Sequence, residues 1–160
     1  MKKANFGKNL LTPLLLGVSL AAAWLMTAPA FANSDGFVKI ESQHDFDATV
    51  SALKEAVSSN KMMVMGDINQ ARVLSMTGLR LAGAESFLVG NPQMGKQAFD
   101  MDPAAGAVLP ARIYVWSDHG KTYVGYFKPS DQLDQVSPGF SKMGHMLDMK
   151  LDMIAKTATR

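Results

Sequence analysis

The chain has 160 residues, of which 16 are basic and 14 acidic, and it contains no cysteine. The missing cysteine excludes disulfide bonds, thiol nucleophiles and thiolate metal ligands. The near balance of charge argues against nucleic-acid binding, which requires Lys and Arg clustered on a basic domain.

The first 32 residues have the pattern of a secretory signal peptide. Three lysines precede an apolar stretch over residues 10–26, and Ala30-Phe31-Ala32 forms a small-x-small cleavage site. We therefore expect cleavage after Ala32 and a periplasmic product without a permanent membrane anchor. Residues 33–160 are then expected to form a single α+β domain. Loss of the three lysines leaves 13 basic and 14 acidic residues, a net charge of −1.

The first half of the mature chain predicts two strands and two helices. Phe37 to Ile40 and Met62 to Met65 are strand candidates. Between them Asp45 is the expected N-cap of a helix whose apolar residues recur at helical spacing: Phe46, Val50, Leu53 and Val57. Asn69 to Thr77 reads as a short helix ended by Gly78 at the C′ position.

The second half predicts a strand, a hairpin and a terminal helix. Ser86 to Val89 is the strand, and a single helical turn is expected over Gln97 to Met101. The runs 112–116 and 122–127 are rich in β-formers and flank a turn in which Gly120 can take positive φ. A helix over 144–156 carries a broad apolar arc made of Met143, Met146, Leu147, Met149, Leu151, Met153 and Ile154. This order predicts an α+β fold in which helices pack on one face of a largely antiparallel sheet.

The stretch from Gly90 to Lys96 resembles a phosphate-binding loop. The spacing of Gly90, Gly95 and Lys96 fits most of G-x-x-x-x-G-K-[ST]. Pro92, however, removes one backbone donor, and Gln97 replaces the hydroxyl residue that would bind Mg²⁺. We interpret the stretch as a tight turn between a strand and a one-turn helix.

The same residues carry a resemblance to a known family. Ile68-Asn69-Gln70-Ala71, Gly90-Asn91-Pro92-x-x-Gly95, Asp102-Pro103, Leu109-Pro110 and Tyr126-x-x-Pro129 occur in the order typical of the domain of unknown function 302 family. The resemblance covers residues 36–130. It implies a topology like that of the TATA-binding protein and a homodimer, and it brings no established reaction.

The pattern supplies the candidates for a ligand pocket, which are Asn69, Asn91, Pro92, Gly95, Asp102 and Tyr126. Many proteins of the family that this chain resembles have Asp-His at the positions where it has Asn69-Gln70. If that pair binds a metal or transfers a proton in the family, this chain lacks the carboxylate and the imidazole that the role requires. Tyr114, Trp116 and Tyr126 are candidates either for a ligand surface or for the packed side of the sheet, since alternate strand residues share a face.

The three histidines do not form a recognisable site. His44 is expected at a helix entry, His119 at the hairpin tip and His145 on a polar helix face, without the spacing of a metal-binding pair. We predict no catalytic residue and no cofactor, and an enzyme that combines Asp102 with a histidine is the alternative.

Methionine provides a second alternative, because ten of the 128 mature residues are methionine. Thioethers suit Cu(I), and His145, Met146 and Met149 lie within about one turn of a predicted helix. Methionine also fills cores and adaptable interfaces without binding metal, and the helical spacing favours packing. The expected function is a binding or accessory module for an unknown small ligand, with copper binding and a small enzyme as alternatives.

Overall fold

The computed structural model describes residues 36–160, and the predicted signal peptide and cleavage site lie outside them. The strands are β1 (Phe37–Glu41), β2 (Met63–Asn69), β3 (Ala84–Gly90), β4 (Ala111–Asp118) and β5 (Lys121–Phe127). The helices are α1 (Phe46–Ser59), α2 (Gln70–Ser75), α3 (Pro92–Met101), α4 (Pro129–Val136) and α5 (Ser141–Ala158). Short 3₁₀ helices cover Pro103–Ala107 and Pro138–Phe140.

The five strands form one antiparallel sheet in the order β1-β5-β4-β3-β2. This confirms the predicted α+β class, while the topology of the TATA-binding protein stays a prediction. Edge strand β2 carries a bulge, because its pairing with β3 shifts between Val64 and Gly66. None of the helices in residues 36–160 has the length and apolar character needed to cross a membrane.

One face of the sheet packs against helices and forms the core. Ile113, Val115 and Val124 point to this face and are fully buried with residues from α1, α4 and α5. Strand alternation places Arg112, Tyr114, Trp116, Tyr123 and Phe127 on the opposite face, which we call the aromatic face.

The first helix and the hairpin confirm their sequence predictions. Asp45 Oδ1 accepts a hydrogen bond of 2.9 Å from the Ala48 N–H and caps α1, which ends at Ser59. At the hairpin tip His119 has φ 50° and Gly120 has φ 79°. Positive φ at both central residues is the mark of a type I′ turn, whose twist matches that of the strands it joins.

The interpretation of Gly90 to Lys96 as a turn is wrong, because α3 begins at Pro92 and runs for ten residues. The Asn91 side chain accepts from the Gln93 and Met94 N–H groups, and proline at the first helical position loses no hydrogen bond. Gly95 and Lys96 therefore lie inside a helix rather than in a phosphate-binding loop.

Helix α4 was not predicted from the sequence. The N-terminus of α4 is held by a residue of α5. Lys128, the N-cap of α4, makes no side-chain cap. Instead Asp148 of α5 accepts hydrogen bonds from the Ser130 N–H (3.0 Å) and hydroxyl (2.5 Å). The two helices approach closely at Gly144, where an added Cβ would lie 2.5 Å from Ser130 Cα.

The apolar arc predicted for the terminal helix is only partly buried. Met143, Leu147, Leu151 and Ile154 belong to the core, as their spacing of three or four residues predicts. Met146, Met149 and Met153 do not, since they are 37%, 63% and 50% exposed in the single chain. Asp148 of the same helix faces α4.

Candidate functional site

A cavity of about 670 Å³ lies at the end of the sheet where β1 and β4 begin and β5 ends. Its volume is within the range of small-molecule binding sites. The apolar part of its lining comes from β1, β3, β5 and the segment that precedes β4, with Phe37, Leu88, Val108, Leu109, Pro110 and Phe127.

Five side chains bring polar groups to this cavity, namely Gln70, Ser86, Arg112, Tyr114 and Gln132. Gln70 Nε2 donates a hydrogen bond of 2.6 Å to Ser86 Oγ, which fixes the amide at the start of α2. Gln70 Oε1 is buried without a partner, the one such side-chain atom within residues 36–160. A buried acceptor without a donor costs free energy, and a bound molecule can supply the donor.

Arg112 is the one charged residue of the lining. Across the described part of the chain its guanidinium makes neither an ion pair nor a hydrogen bond. Burial raises the pKa of the nearby Tyr114 hydroxyl, so this phenol keeps its proton at neutral pH and can donate. The cavity therefore presents one free cation beside neutral donors and acceptors.

Stacked rings support the floor of the cavity on the aromatic face. Tyr114 stacks on Trp116 at 5.1 Å between ring centroids, and Trp116 stacks on Tyr123 at 5.4 Å. Lys39 Nζ lies 3.8 Å from the centroid of Tyr123 in a cation–π contact, and Lys39 does not line the cavity. Arg112 is therefore the cation that remains available to a ligand.

Gly125 lets these rings approach the sheet. A Cβ there would lie 2.9 Å from Phe37 and 3.0 Å from Trp116. Phe37 also packs on Phe127 with 4.9 Å between centroids. The apolar wall on the β1–β5 side is thus held in place before any ligand arrives.

A second, smaller cavity of about 230 Å³ brings three of the sequence candidates together. Asn91, Pro92 and Gly95 line it with Met65, Met94, Phe99 and Leu147. Asn91 already uses its side chain, which caps α3 and donates from Nδ2 to the Lys61 carbonyl at 2.8 Å. This cavity consequently offers apolar surface and little free polar chemistry.

The remaining candidates are separated. Tyr126 borders the larger cavity, but it is buried on the core face, opposite Tyr114 and Trp116. Burial, followed by the carboxylates of Asp152 and Asp148, raises its pKa to about 12, so it is a neutral packed residue. Asn69 and Asp102 line neither cavity and act as caps, accepting from the Arg72 and Ala104 N–H groups.

The histidines lie where the sequence predicts, at a helix entry, a hairpin tip and an exposed helix face. His44 Nε2 bonds to the Arg160 carbonyl, and His145 Nδ1 lies 3.7 Å from Asp148 Oδ2. Within residues 36–160 no ion pair joins Asp102 to a histidine, and the enzyme alternative stays a prediction. Within residues 36–160 no three His, Cys, Asp or Glu side chains form a metal-binding group. Thioether ligands are a separate question, and copper binding stays a prediction.

Sequence reasoning missed most of the larger cavity. Alternation in β4 places Arg112 on the same face as Tyr114. That no carboxylate of residues 36–160 pairs with Arg112 is decided by the fold. In the sequence, Gln70 was recognisable only as a residue that differs from the family pattern. Its contact with Ser86 across 16 positions could not be read from spacing.

Comparisons with known proteins agree with this fold. The model of a family described as domain of unknown function DUF302 matches residues 38–158. A crystal structure of an uncharacterized conserved DUF302 protein from Bacillus stearothermophilus superimposes with a TM-score of 0.73 at 18% identity, covering 78% of this chain and 98% of that one. At this identity the likeness concerns the fold alone.

Curated relatives share part of the chain. Proteins named fluoride-specific ion channel FluC 1 from Brucella suis and Brucella abortus are each 28% identical over 107 residues, 66% of this chain. The match covers 42% and 40% of their own lengths, so the chain spans less than half of these relatives.

Proposed function

The chain belongs to the DUF302 family, whose description names no activity, and we propose from its own cavity that it is a module that binds a small organic ligand. The observation that carries the proposal is the 670 Å³ cavity, whose lining combines apolar side chains with five polar ones. Sites for small molecules use apolar contacts for affinity and polar groups for orientation.

The setting we propose is the bacterial periplasm. The signal-peptide pattern of residues 1–32 supports export, with a mature chain that starts at Asn33. The ion conduction named for the Brucella proteins is not part of the proposal, which rests on the cavity.

We also propose a homodimer, as the family resemblance implies. Exposed apolar side chains concentrate in and after edge strand β2 and support a contact there, namely Ile68, Val73, Met76, Leu79 and Leu81. This surface is distinct from the lining of the larger cavity.

Native mass spectrometry of the protein from periplasmic extract tests the three statements together. We expect a dimer of chains that begin at Asn33, with a retained mass of a few hundred daltons, an order of magnitude typical of ligands for such cavities. Leu88→Trp should remove the retained mass because Leu88 lines the cavity, and Val108→Trp should do so from the opposite wall.

Met153→Trp is the matched control, because Met153 is exposed on α5 and belongs neither to the cavity lining nor to the proposed dimer contact. It should keep the retained mass. A mass that survives both filling variants would show that the ligand binds elsewhere, and a protein that retains nothing and binds nothing from a metabolite library would contradict the binding role.

A further inference from the structure

The charge pattern of the larger cavity narrows the class of ligand, and this inference rests on the proposed binding function. The lining contains one arginine and no acidic residue. A single unpaired cation beside apolar walls attracts an anion, and without a carboxylate it gives metal ions and amines no counter-charge.

We propose that the cavity binds an organic carboxylate that carries one negative charge and an apolar alkyl or aromatic body. The Arg112 guanidinium donates to the carboxylate oxygens in the paired geometry that these two groups favour. The body lies between Leu88, Val108 and the rings of Phe37 and Phe127.

The neutral polar groups fit such a ligand. Tyr114 lies two residues from Arg112 on the same strand face, and its hydroxyl can donate a second hydrogen bond to the carboxylate. Gln70 and Gln132 bring neutral amides to the same lining.

The same features exclude other anions. Nucleoside di- and triphosphates carry several charges and would require more than one cation. Arg112 is the one basic residue of the lining, and Lys39 lies over Tyr123 outside it. The apolar side chains of the lining likewise do not suit small inorganic anions, which keep their hydration in water.

Isothermal titration at pH 7 and low salt tests the inference with two pairs of probes. Decanoate and decanol represent an alkyl body with and without charge, and 2-naphthoate and 2-naphthylmethanol do the same for an aromatic body. We expect each carboxylate to bind at least tenfold more tightly than its alcohol. The acid that binds more tightly shows whether the cavity prefers an alkyl or an aromatic body.

Arg112→Gln removes the charge and keeps a side chain of similar polarity. It should weaken carboxylate binding about 10- to 100-fold, as expected for a lost charged hydrogen bond, and change alcohol binding less than about twofold. Arg112→Lys should restore part of the loss. Arg80→Gln, at an exposed arginine outside the lining, should change neither.

The outcomes separate this inference from the binding function. Equal affinity of acids and alcohols, unaffected by Arg112→Gln, would overturn the carboxylate assignment and leave a neutral binding cavity. If none of the four probes binds, the carboxylate class is wrong, whether or not the periplasmic protein retains another molecule. If acids bind and Leu88→Trp leaves them bound, the cavity is not their site and the carboxylate assignment fails. The mass retained by the periplasmic protein then decides separately whether the cavity binds a ligand.

Discussion

Gly144→Ala is expected to destabilise the protein by about 2–4 kcal/mol, although alanine favours a helix over glycine by about 1 kcal/mol. The new methyl group would lie 2.5 Å from Ser130 Cα, a backbone atom of α4 that cannot rotate away. The helices must separate, which costs about 1–3 kcal/mol for overpacking. Separation also loosens the hydrogen bonds from Ser130 to Asp148, whose loss costs a similar amount.

Gly95→Ala is the matched control, since both glycines are the fourth residue of their helix. A Cβ at Gly95 meets nothing within 4 Å, and its φ is not positive, so this variant should gain up to about 1 kcal/mol. Urea unfolding of the two variants measures the difference. A stabilised Gly144→Ala protein would show that α4 and α5 do not pack as closely as described.

Leu151→Ala should cost about 2–5 kcal/mol, because Leu151 is fully buried between the sheet and its neighbouring helices. Met149→Ala, two positions earlier on the same helix, should change the free energy of unfolding by less than about 0.5 kcal/mol in the monomer. Met149 is 63% exposed and contributes little to the core. Thermal and urea unfolding at low protein concentration give both values.

The same pair of variants separates packing from copper binding. Met149→Ala would weaken Cu(I) binding measured against a competing chelator only if Met149 is a ligand, with His145 and Met146 as its partners on α5. The fold should not depend on the metal in either case. A large loss of stability in Met149→Ala would contradict the exposed position of this side chain.

Local patterns predicted the elements whose determinants lie within a few residues. Asp45 and the apolar spacing after it define α1, and the β-rich runs around Gly120 define the hairpin. In α3 the local signal was present in Asn91 and Pro92, a cap followed by a first-turn proline, but a match to a glycine motif obscured it.

Other features depend on contacts between distant parts of the chain. Helix α4 has no side-chain cap of its own, and its start is held by Asp148 from α5. On α5 the methionines extend the apolar arc beyond what the sheet covers, so periodicity alone could not separate Leu151 from Met149. The larger cavity combines residues from four strands and three other segments, and only the fold brings Gln70 and Arg112 to one lining.

The bulge at Met65 has a consequence for how the protein behaves at high concentration. A regular edge strand exposes a row of backbone donors and acceptors that a strand from another molecule can join, which leads to aggregates. The shift between Val64 and Gly66 interrupts this row on β2, and the exposed Asp67 follows it with a charge. Although β2 carries exposed Met63 and Ile68, its backbone therefore pairs poorly with strands of other molecules.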